Sequence, residues 1–339
     1  MGLRMEGNEV GIVIIGRNEG ERLRRCLQSV HGMSARVYVD SGSTDGSQDF
    51  ARSLGFVVLD LDPNDEFTAA RARNLGLFYL AGNHPQIRFV QTVDGDCEVF
   101  PGWAKQARDH MTNDATLAVI FGRRRERFPG KNIYHRACEI EWNVPAGPAR
   151  SCGGDALFRL ASLVEVGGFN PRLIAGEEPD LCYRLRRANW RILSDGLDMT
   201  LHDVDIGSFR QWWRRALRAG HGITELVAIH GSNADEGWRR FLFSSFFWTA
   251  VLLVTSLLLL MAVLATSKVL LSTGVALFLV IVLQAIRTGA RARSNFQTTA
   301  MAMRWGALLF VSKVAQVQGM LLYWRRRLTS TRKAIIEYK

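Results

Sequence analysis

The stretch VQTVDGDCEV (residues 90–99) begins as an apolar β-strand and ends in two carboxylates, Asp94 and Asp96, with one glycine between them. Residues two apart on an extended chain point to the same side, so the two acids would repel each other unless a cation lies between them. Mg²⁺ and Mn²⁺ prefer oxygen ligands and often take one or two carboxylates together with substrate phosphates. The stretch alone is compatible with a cation site or with a solvated acidic turn, so its context has to distinguish the two.

The first 240 residues alternate apolar strands with amphipathic helices. Strand patterns lie at 9–16, 35–40, 56–62 and 86–96, and helical patterns lie at 18–30, 47–55 and 68–82. This alternation predicts an α/β fold with a mainly parallel central sheet and right-handed crossovers. Ligands bind such sheets beyond the carboxyl ends of the strands, so Asp40, Asp94 and Asp96 are expected to face one crevice.

The loop VDSGSTDGS (residues 39–47) combines Asp40, at the end of the second strand, with small hydroxyl residues and glycines. Asp40 can accept a hydrogen bond from a base or a ribose, and the backbone amides of such a loop can approach a phosphate. The alternative is that Asp45 or Ser47 caps the helix that follows. We expect both roles, carried by different residues.

Three acids, Glu177, Glu178 and Asp180, surround Pro179 in the stretch GEEPDLCYRLRRANWRI (residues 176–192). Proline favours the first position of a helix, and acids near a helix start are stabilised by the helix dipole. The same acids suit a general base that deprotonates a hydroxyl group. The residues alone leave both interpretations open.

The stretch SCGGDALFRL (residues 151–160) predicts a glycine-rich turn that enters a helix and forms a wall of a sugar pocket. His202, in LHDVD, and the pair Trp212-Trp213 follow later in the chain. An isolated histidine or a tryptophan pair is more typical of packing. Tryptophan beside arginine just before an apolar segment is typical of a membrane interface.

The net charge of +11 is concentrated near the C-terminal end, where residues from Arg287 onward include eleven Lys or Arg and one acid. Two uncharged apolar segments, at 241–265 and 269–286, lie directly before this basic region. Each is about as long as a helix needs to be to cross a bilayer. They predict a transmembrane hairpin with both ends in the cytoplasm. Basic residues beside apolar helices indicate contact with anionic lipid, so we expect membrane lipid and no nucleic acid as a partner.

A third apolar segment, at 305–324, is interrupted by Lys313, Gln316 and Gln318 and is followed by a basic tail. If this segment spanned the membrane, the tail would lie outside, against the charge rule; we therefore expect a helix in the interface or packed on the hairpin. The expected organisation is a catalytic domain at 1–204, amphipathic interface helices at 205–240, transmembrane helices at 241–265 and 269–286, and an interfacial or third membrane helix with the basic tail at 296–339.

In their order and spacing, these motifs resemble the family 2 inverting glycosyltransferases over about residues 8–225. The resemblance implies a GT-A fold, a nucleotide-diphosphate sugar donor, most often a UDP-sugar, and a Mn²⁺ or Mg²⁺ ion. It assigns the metal site to Asp96 and His202. By motif position it assigns the donor site to Gly16, Asn18, Glu19, Asp40, Arg73, Asn74, Asp94, Gly154 and Asp155.

The family's Glu-Asp base motif corresponds to Glu177-Glu178 in this chain, so the resemblance implies Glu178 as the general base, with Asp180 as the alternative. Gln211 and Arg214 resemble part of the Q-x-x-R-W motif of the polymerising synthases and would contact the acceptor or the diphosphate. Arg215 stands where that motif has its Trp. We therefore expect transfer of one sugar per acceptor, with a processive polysaccharide synthase as the alternative.

Together, the resemblance and the apolar hairpin predict an inverting glycosyltransferase of the inner (cytoplasmic) membrane, with its catalytic domain in the cytoplasm. Its expected acceptor is a lipid-linked, polyprenyl-type molecule in the synthesis of cell-surface polysaccharide or glycolipid. The expected reaction is a single displacement in which a metal on Asp96 neutralises the departing diphosphate and Glu178 takes the acceptor proton. A membrane-tethered sugar-nucleotide-binding protein or nucleotidyltransferase is the alternative. The sequence does not define an oligomeric state.

Overall fold

The computed structural model describes residues 9–30 and 32–329. The chain divides into two compact units. The first unit runs to residue 131 and continues over 138–205, and the second joins 132–137 to the residues from 206 onward. Each unit has its own architecture.

The described strands of the first unit form one nine-stranded sheet. They are β1 (Val10–Gly16), β2 (Ala35–Asp40), β3 (Val57–Asp60), β4 (Phe89–Asp94), β5 (Cys97–Val99), β6 (Leu117–Glu126), β7 (Gly147–Pro148), β8 (Ala156–Arg159) and β9 (Arg191–His202). Their order is β3-β2-β1-β4-β8-β6-β9-β5, with β7 paired to β9. The strands β1, β2, β3 and β4 pair in parallel, as do β6 and β9, whereas β5, β7 and β8 run the other way. The predicted α/β fold with a mainly parallel sheet is confirmed.

Seven described helices accompany these strands, and the sequence alternation predicted the first three of them. They are α1 (Glu21–Ser29), α2 (Ser47–Ser53), α3 (Ala69–Asn83), α4 (Trp103–Asn113), α5 (Ile133–Trp142), α6 (Leu160–Glu165) and α7 (Glu177–Arg187). The apolar face of α1 is buried through Leu23, Cys26 and Leu27, as its periodicity predicted. Crossover helices of this kind cover the faces of the parallel strands and leave the strand ends open.

The prediction that the glycine-rich turn at 151–155 enters a helix is wrong. The turn enters strand β8, which lies antiparallel between β4 and β6, and the helix α6 begins only at Leu160. Leu157 and Phe158 are both fully buried although successive side chains of a strand point to opposite faces. Both faces of this strand are therefore covered, which removes the alternation that would have indicated a strand.

Helix α3 packs closely on β1 because it carries glycine at the point of contact. A Cβ atom added to Gly76 would lie 2.4 Å from Val13 Cγ1, which is far closer than two carbon atoms can approach. Gly82, near the end of the same helix, would meet no atom within 4 Å. The position of Gly76 thus fixes how near α3, which carries Arg73, comes to the sheet.

The second unit is helical in its described residues. Its main helices are α8 (Phe209–His230), α9 (Glu236–Leu264), α10 (Lys268–Arg291) and α11 (Thr299–Leu328). The last three are long and apolar enough to cross a membrane. The predicted hairpin corresponds to α9 and α10, which are joined by a short turn around Thr266.

Small residues bring α8 and α11 into close contact. A Cβ atom on Gly220 would lie 2.1 Å from the carbonyl oxygen of Gln316, and one on Gly319 would lie 2.1 Å from that of Leu217. Glycines also mark the crossing of α10 and α11, where Gly306 faces the carbonyl of Ala285 in the same way. Close backbone approach through small residues is the usual packing mode of helices in membranes.

Replacing Gly76 by alanine is expected to destabilise the first unit, since the new methyl group would clash with Val13. Overpacking of this kind costs about 1–3 kcal/mol, which corresponds to a melting temperature roughly 2–10 °C lower. Circular dichroism melting of the detergent-solubilised full-length chain measures the effect. Gly82→Ala is the control on the same helix and should leave the melting temperature unchanged or raise it. Equal melting temperatures of the two variants would contradict this account of the packing.

Candidate active site

The carboxyl ends of three parallel strands meet at one edge of the sheet. Gly16, Asp40 and Asp94 are the last residues of β1, β2 and β4. Gly16 lies opposite Asp40, and Ile15 lies opposite Asp94. The two predicted acidic positions therefore share one edge, where ligands of such sheets bind.

Asp40 organises the loop that follows β2. Its fully buried carboxylate accepts hydrogen bonds from the Tyr38 hydroxyl at 2.7 Å, from the backbone amides of Gly42 and Ser43 at 2.9 and 2.7 Å, and from Gln48 Nε2 at 3.0 Å. Burial raises the pKa of this carboxyl, but the hydrogen bonds from Ser43, Gln48 and Tyr38 outweigh burial and lower it below the ordinary value. Asp40 is thus held as an anion at the strand end.

The same loop is joined to the turn after β1. Asn18, in the left-handed conformation with φ 53°, donates its backbone amide to Ser43 Oγ at 2.9 Å and accepts from the Thr44 amide at 2.8 Å. Glu19, beside it, pairs with Arg22 at 2.9 Å. The two loops predicted to hold the nucleotide therefore form one hydrogen-bonded wall.

The expected helix cap by Asp45 or Ser47 is not formed. Helix α2 begins at Ser47 itself, and the capping position is taken by Gly46, which provides no side chain. Asp45 instead accepts from the Ser47 amide at 3.1 Å and from the Gly20 amide at 3.0 Å. Its carboxylate is thereby used to join the two loops.

The Arg73 side chain is buried and pairs with three carboxylates. Only 2% of the residue is exposed, and its guanidinium donates to Asp94 Oδ1 at 2.8 Å, to Glu178 Oε1 at 2.9 Å and to Glu177 Oε1 at 3.2 Å. Its other side lies over the Phe169 ring, 5.4 Å from the ring centre. One buried cation thus joins the D-x-D stretch to the acidic start of α7.

Asp94 is held by a second arginine that the sequence analysis did not single out. Arg124 Nη2 lies 3.2 Å from Asp94 Oδ2 and 2.9 Å from Asp155 Oδ2. Asp155, which is 1% exposed, also accepts from the Asp94 amide at 2.9 Å and from the Thr200 hydroxyl at 2.8 Å. Burial raises the pKa of Asp94, but the charges of Arg73 and Arg124 outweigh it and hold the pKa well below its usual range.

At Gly154, in the 151–155 turn, the close contact with Arg73 and Asp94 leaves no room for a side chain. A Cβ atom on Gly154 would lie 2.3 Å from Arg73 Nη2 and 2.9 Å from Asp94 Oδ2. The backbone of this turn therefore packs directly on the Arg73–Asp94 ion pair. Any larger residue at position 154 would separate the pair or displace the turn.

The Asp96 carboxylate lies beside His202, at the end of β9. Gly95 and Asp96 form a turn between β4 and β5, so the extended geometry assumed for the two acids ends at Asp94. Asp96 Oδ2 lies 3.3 Å from His202 Nε2, and the Asp96 residue is 5% exposed. The structure therefore brings together the two residues assigned to the metal.

Asp96 and His202 fit a divalent cation. Together with the Cys97 thiol they offer potential ligand atoms within 4.8 Å of one another. Burial raises the pKa of the Cys97 thiol well above its ordinary value, so the thiol stays protonated and is a poor ligand. Burial lowers the pKa of His202, which favours the neutral imidazole that a metal requires. A carboxylate oxygen with an imidazole nitrogen suits Mn²⁺.

The three acids near Pro179 all lie in the first turn of α7. The helix begins at Glu177, because Gly176 adopts φ 86° at the capping position, so Pro179 is its third residue and not its first as expected. Asp180 is 1% exposed and accepts from Arg184 Nε at 2.8 Å. The cluster is thus divided between two arginines: Glu177 and Glu178 pair with Arg73, and Asp180 pairs with Arg184.

The environment of Glu178 raises its pKa to about 7. Burial is the main cause, the charge of Glu177 adds to it, and Arg73 offsets part of both effects. A carboxylate with a pKa near neutrality can accept and release a proton at working pH. Glu178 therefore has a pKa suited to proton transfer.

Some candidate residues use their polar groups within the fold. The Asn74 side chain donates to the Phe169 carbonyl at 2.7 Å and accepts from its amide at 2.8 Å. Gln211 belongs to the second unit, where it forms a capping box with Ser208 at the start of α8. Arg214 is exposed on the same helix. These contacts assign Asn74 and Gln211 a structural role, whatever else they bind.

Sequence reasoning missed Arg124 because it lies in the run GRRRERF (residues 122–128), which resembles a solvated basic surface. The alternation along β6 turns Arg124 into the site, while Arg123 pairs with Asp198 at 2.9 Å. Arg124 also lies over the Trp142 ring at 5.4 Å. Three consecutive arginines of similar burial give no local signal that distinguishes Arg124, so only the pairing of the strands identifies it.

Known proteins resemble this chain in sequence and in fold. The model of glycosyl transferase family 2 matches residues 11–155. The pre-mycofactocin glycosyltransferase of Mycobacterium tuberculosis is 27% identical over 235 residues, which cover 66% of this chain and 48% of that protein. The chain thus spans about half the length of the curated relatives it matches.

Two solved structures show the same fold at low identity. A mannosyltransferase from Pyrobaculum calidifontis, in complex with GDP-Man and Mn²⁺, is 14% identical with a TM-score of 0.55 and covers 97% of this chain and 89% of its own. S. aureus TarS, residues 1–349, is 12% identical with a TM-score of 0.50 and covers 96% of this chain and 93% of its own. The resemblance drawn from the motifs is confirmed over residues 11–155, which match the family 2 glycosyltransferase model. The fold is that of these GT-A structures, and three apolar helices long enough to cross a membrane follow the matched residues.

Proposed function

We propose that this protein is a membrane-bound inverting glycosyltransferase that moves one sugar from a nucleotide-diphosphate sugar, a UDP-sugar by the family's commonest use, to a lipid-linked acceptor. The observation that carries the proposal is the cluster of Asp94, Glu177 and Glu178 around Arg73. It places a carboxylate with a pKa near 7, Glu178, on the same buried cation as Asp94 of the D-x-D. A binding protein would need the D-x-D but has no use for such a base.

The proposed division of labour follows the positions of the family motifs. Asp40 and the loops around Asn18 hold the nucleoside, and Asp94 faces the ribose. Asp96 and His202 would hold a Mn²⁺ or Mg²⁺ ion, which supplies positive charge to the leaving diphosphate. Glu178 accepts the proton of the acceptor hydroxyl as that oxygen attacks the sugar, so the reaction needs no covalent intermediate and inverts the configuration.

The donor and the metal have support from the similar fold solved with GDP-Man and Mn²⁺. The curated relatives are glycosyltransferases by name, which supports the reaction class. A nucleotidyltransferase is the second candidate, because it could use the same crevice and the same carboxylates. The two candidates differ in product: glycosyl transfer releases a nucleoside diphosphate, and nucleotidyl transfer releases pyrophosphate.

The membrane unit supports a lipid-linked acceptor and a membrane location. We propose that α9 and α10 span the inner membrane and that α11 lies across the cytoplasmic end of this hairpin. Close contacts of α11 with α9 join Phe310 to Trp248 and Gln316 to Ser245, within the first half of α9. The close contacts of α11 with α10 are at Ala285 and Gly289, in the last two turns of α10. Because α11 lies across the cytoplasmic end of the α9–α10 hairpin, the basic C-terminal residues stay in the cytoplasm.

A donor panel tests the reaction. We expect the purified full-length chain, with Mn²⁺ and a polyprenyl phosphate, to release nucleoside diphosphate from one of UDP-glucose, UDP-N-acetylglucosamine or GDP-mannose, and to add one sugar per acceptor. Asp96→Asn should lower the rate by about 100-fold or more, because it removes a ligand of the charge-stabilising ion. Asp49→Asn, an exposed acid on α2, is the control. Release of pyrophosphate would favour the nucleotidyltransferase, and long products would indicate a processive synthase.

The base assignment predicts a pH profile. kcat/KM should rise with pH through about 7, because Glu178 accepts a proton only after losing its own. Glu178→Gln should lower kcat by about 10²–10⁴-fold and remove this rising limb. Asp180→Asn removes the charge that pairs with Arg184. The fraction of this variant that folds should still show the rising limb of the pH profile. A profile that survives Glu178→Gln and is lost in Asp180→Asn would move the base to Asp180.

The orientation of α11 predicts which loops share a side of the membrane. The five native cysteines are buried, so single cysteines introduced at Gln297, Thr329 and Thr266 can be labelled over a low background. With a membrane-impermeant maleimide on oriented vesicles, we expect positions 297 and 329 to react from the cytoplasmic side and position 266 from the opposite side. Labelling of position 329 together with position 266 would show that α11 spans the membrane.

A further inference from the structure

The two ring nitrogens of His202 have different surroundings. Nε2 lies 3.3 Å from Asp96 Oδ2, whereas Nδ1 lies 3.6 Å from Glu126 Oε2. Nδ1 is buried and has no hydrogen-bond partner among the residues that the structure describes. The imidazole thus stands between two carboxylates, with one nitrogen directed at each.

Glu126 is itself held rigidly. It is the last residue of β6 and lies directly beside His202 on the parallel strand β9. Its carboxylate, fully shielded from solvent, accepts from the Phe128 amide at 3.1 Å and from the Val204 amide at 3.3 Å. Its own backbone amide donates to Glu139 at 2.5 Å. These contacts hold the Glu126 carboxylate beside His202.

A third contact restricts rotation of the imidazole. The Trp142 ring meets the His202 ring edge to face, with 4.7 Å between ring centres. Only 4% of His202 is exposed. The ring therefore has little freedom to exchange its two nitrogens, and the groups at its two ends decide which nitrogen carries the proton.

We propose that Glu126 is a positioning residue that keeps the proton of His202 on Nδ1, so that the Nε2 lone pair faces Asp96 and a divalent cation. A metal-bound imidazole must present an unprotonated nitrogen, and a carboxylate at the other nitrogen fixes both tautomer and ring orientation. Asp96 by itself would favour a proton on Nε2, which would block a cation, and Glu126 opposes that tendency. This inference rests on the proposed function, because it gives the metal of that reaction its histidine ligand.

Metal affinity tests the proposal without turnover. Mn²⁺ is titrated into the detergent-solubilised full-length chain with UDP or GDP present and no acceptor, and free Mn²⁺ is read from its electron paramagnetic resonance signal. Loss of a carboxylate behind a histidine ligand typically weakens metal binding by about 10–100-fold, and we expect this for Glu126→Ala. Glu126→Gln keeps the shape of the side chain, but its amide can donate a hydrogen bond to His202 Nδ1 and so leave the imidazole proton on Nε2. We therefore expect about 10-fold weaker Mn²⁺ binding.

Glu139→Gln is the matched control. Glu139 is a buried carboxylate that holds the backbone of Glu126 and pairs with Arg125 at 2.8 Å. If carboxylates here serve only to hold the fold, Glu139→Gln should weaken Mn²⁺ binding as much as Glu126→Gln. We expect it to change the affinity by less than about threefold.

A spectroscopic readout separates orientation from folding. Pulsed electron paramagnetic resonance should show coupling of bound Mn²⁺ to an imidazole nitrogen in the wild type, and His202→Ala should remove it. We expect Glu126→Gln to reduce this coupling while circular dichroism stays unchanged. Unchanged affinity and coupling in Glu126→Gln would overturn the positioning role and leave the proposed function standing. A wild type that binds no Mn²⁺ with either nucleotide would overturn both.

Discussion

The candidate site depends on the buried guanidinium of Arg73. Three carboxylates, Asp94, Glu177 and Glu178, converge on it from two distant parts of the chain. Without a cation, such a group of acids could not be buried together, since each ionised carboxylate would lose its hydration and repel the others. An arginine is suited to this position because it stays charged and offers several donors in a fixed plane.

The charge of Arg73 lowers the pKa of both Asp94 and Glu178, but the two carboxylates end with opposite pKa shifts. Asp94 receives donors from both Arg73 and Arg124, so its pKa is held low and it remains an anion. Glu178 shares a single nitrogen of Arg73 with Glu177, and burial together with that neighbour raises its pKa to about 7. Two carboxylates with separated pKa values can serve as a permanent charge and as a proton acceptor.

The sequence predicted those features that depend on local pattern. The strands before Asp40 and Asp94 are apolar runs that end in acids, and both acids lie at the sheet edge where the pattern put them. The strand β8 was missed because its residues are apolar on both faces. Arg124 was missed because its partners, Asp94 and Asp155, are far away in the chain and only the sheet order brings them together. Register across strands is a tertiary property that a single segment does not carry.

Helix periodicity explains why the three acids in the first turn of α7 pair with different arginines. Successive helical residues are rotated by about 100°, so residues two apart, such as Glu178 and Asp180, lie on nearly opposite sides of α7. Asp180 therefore meets Arg184, one turn further along the same helix, while the long side chains of Glu177 and Glu178 both reach Arg73. The left-handed Gly176 sets where this rotation starts. One helical turn thus places two carboxylates on Arg73 and the third on Arg184.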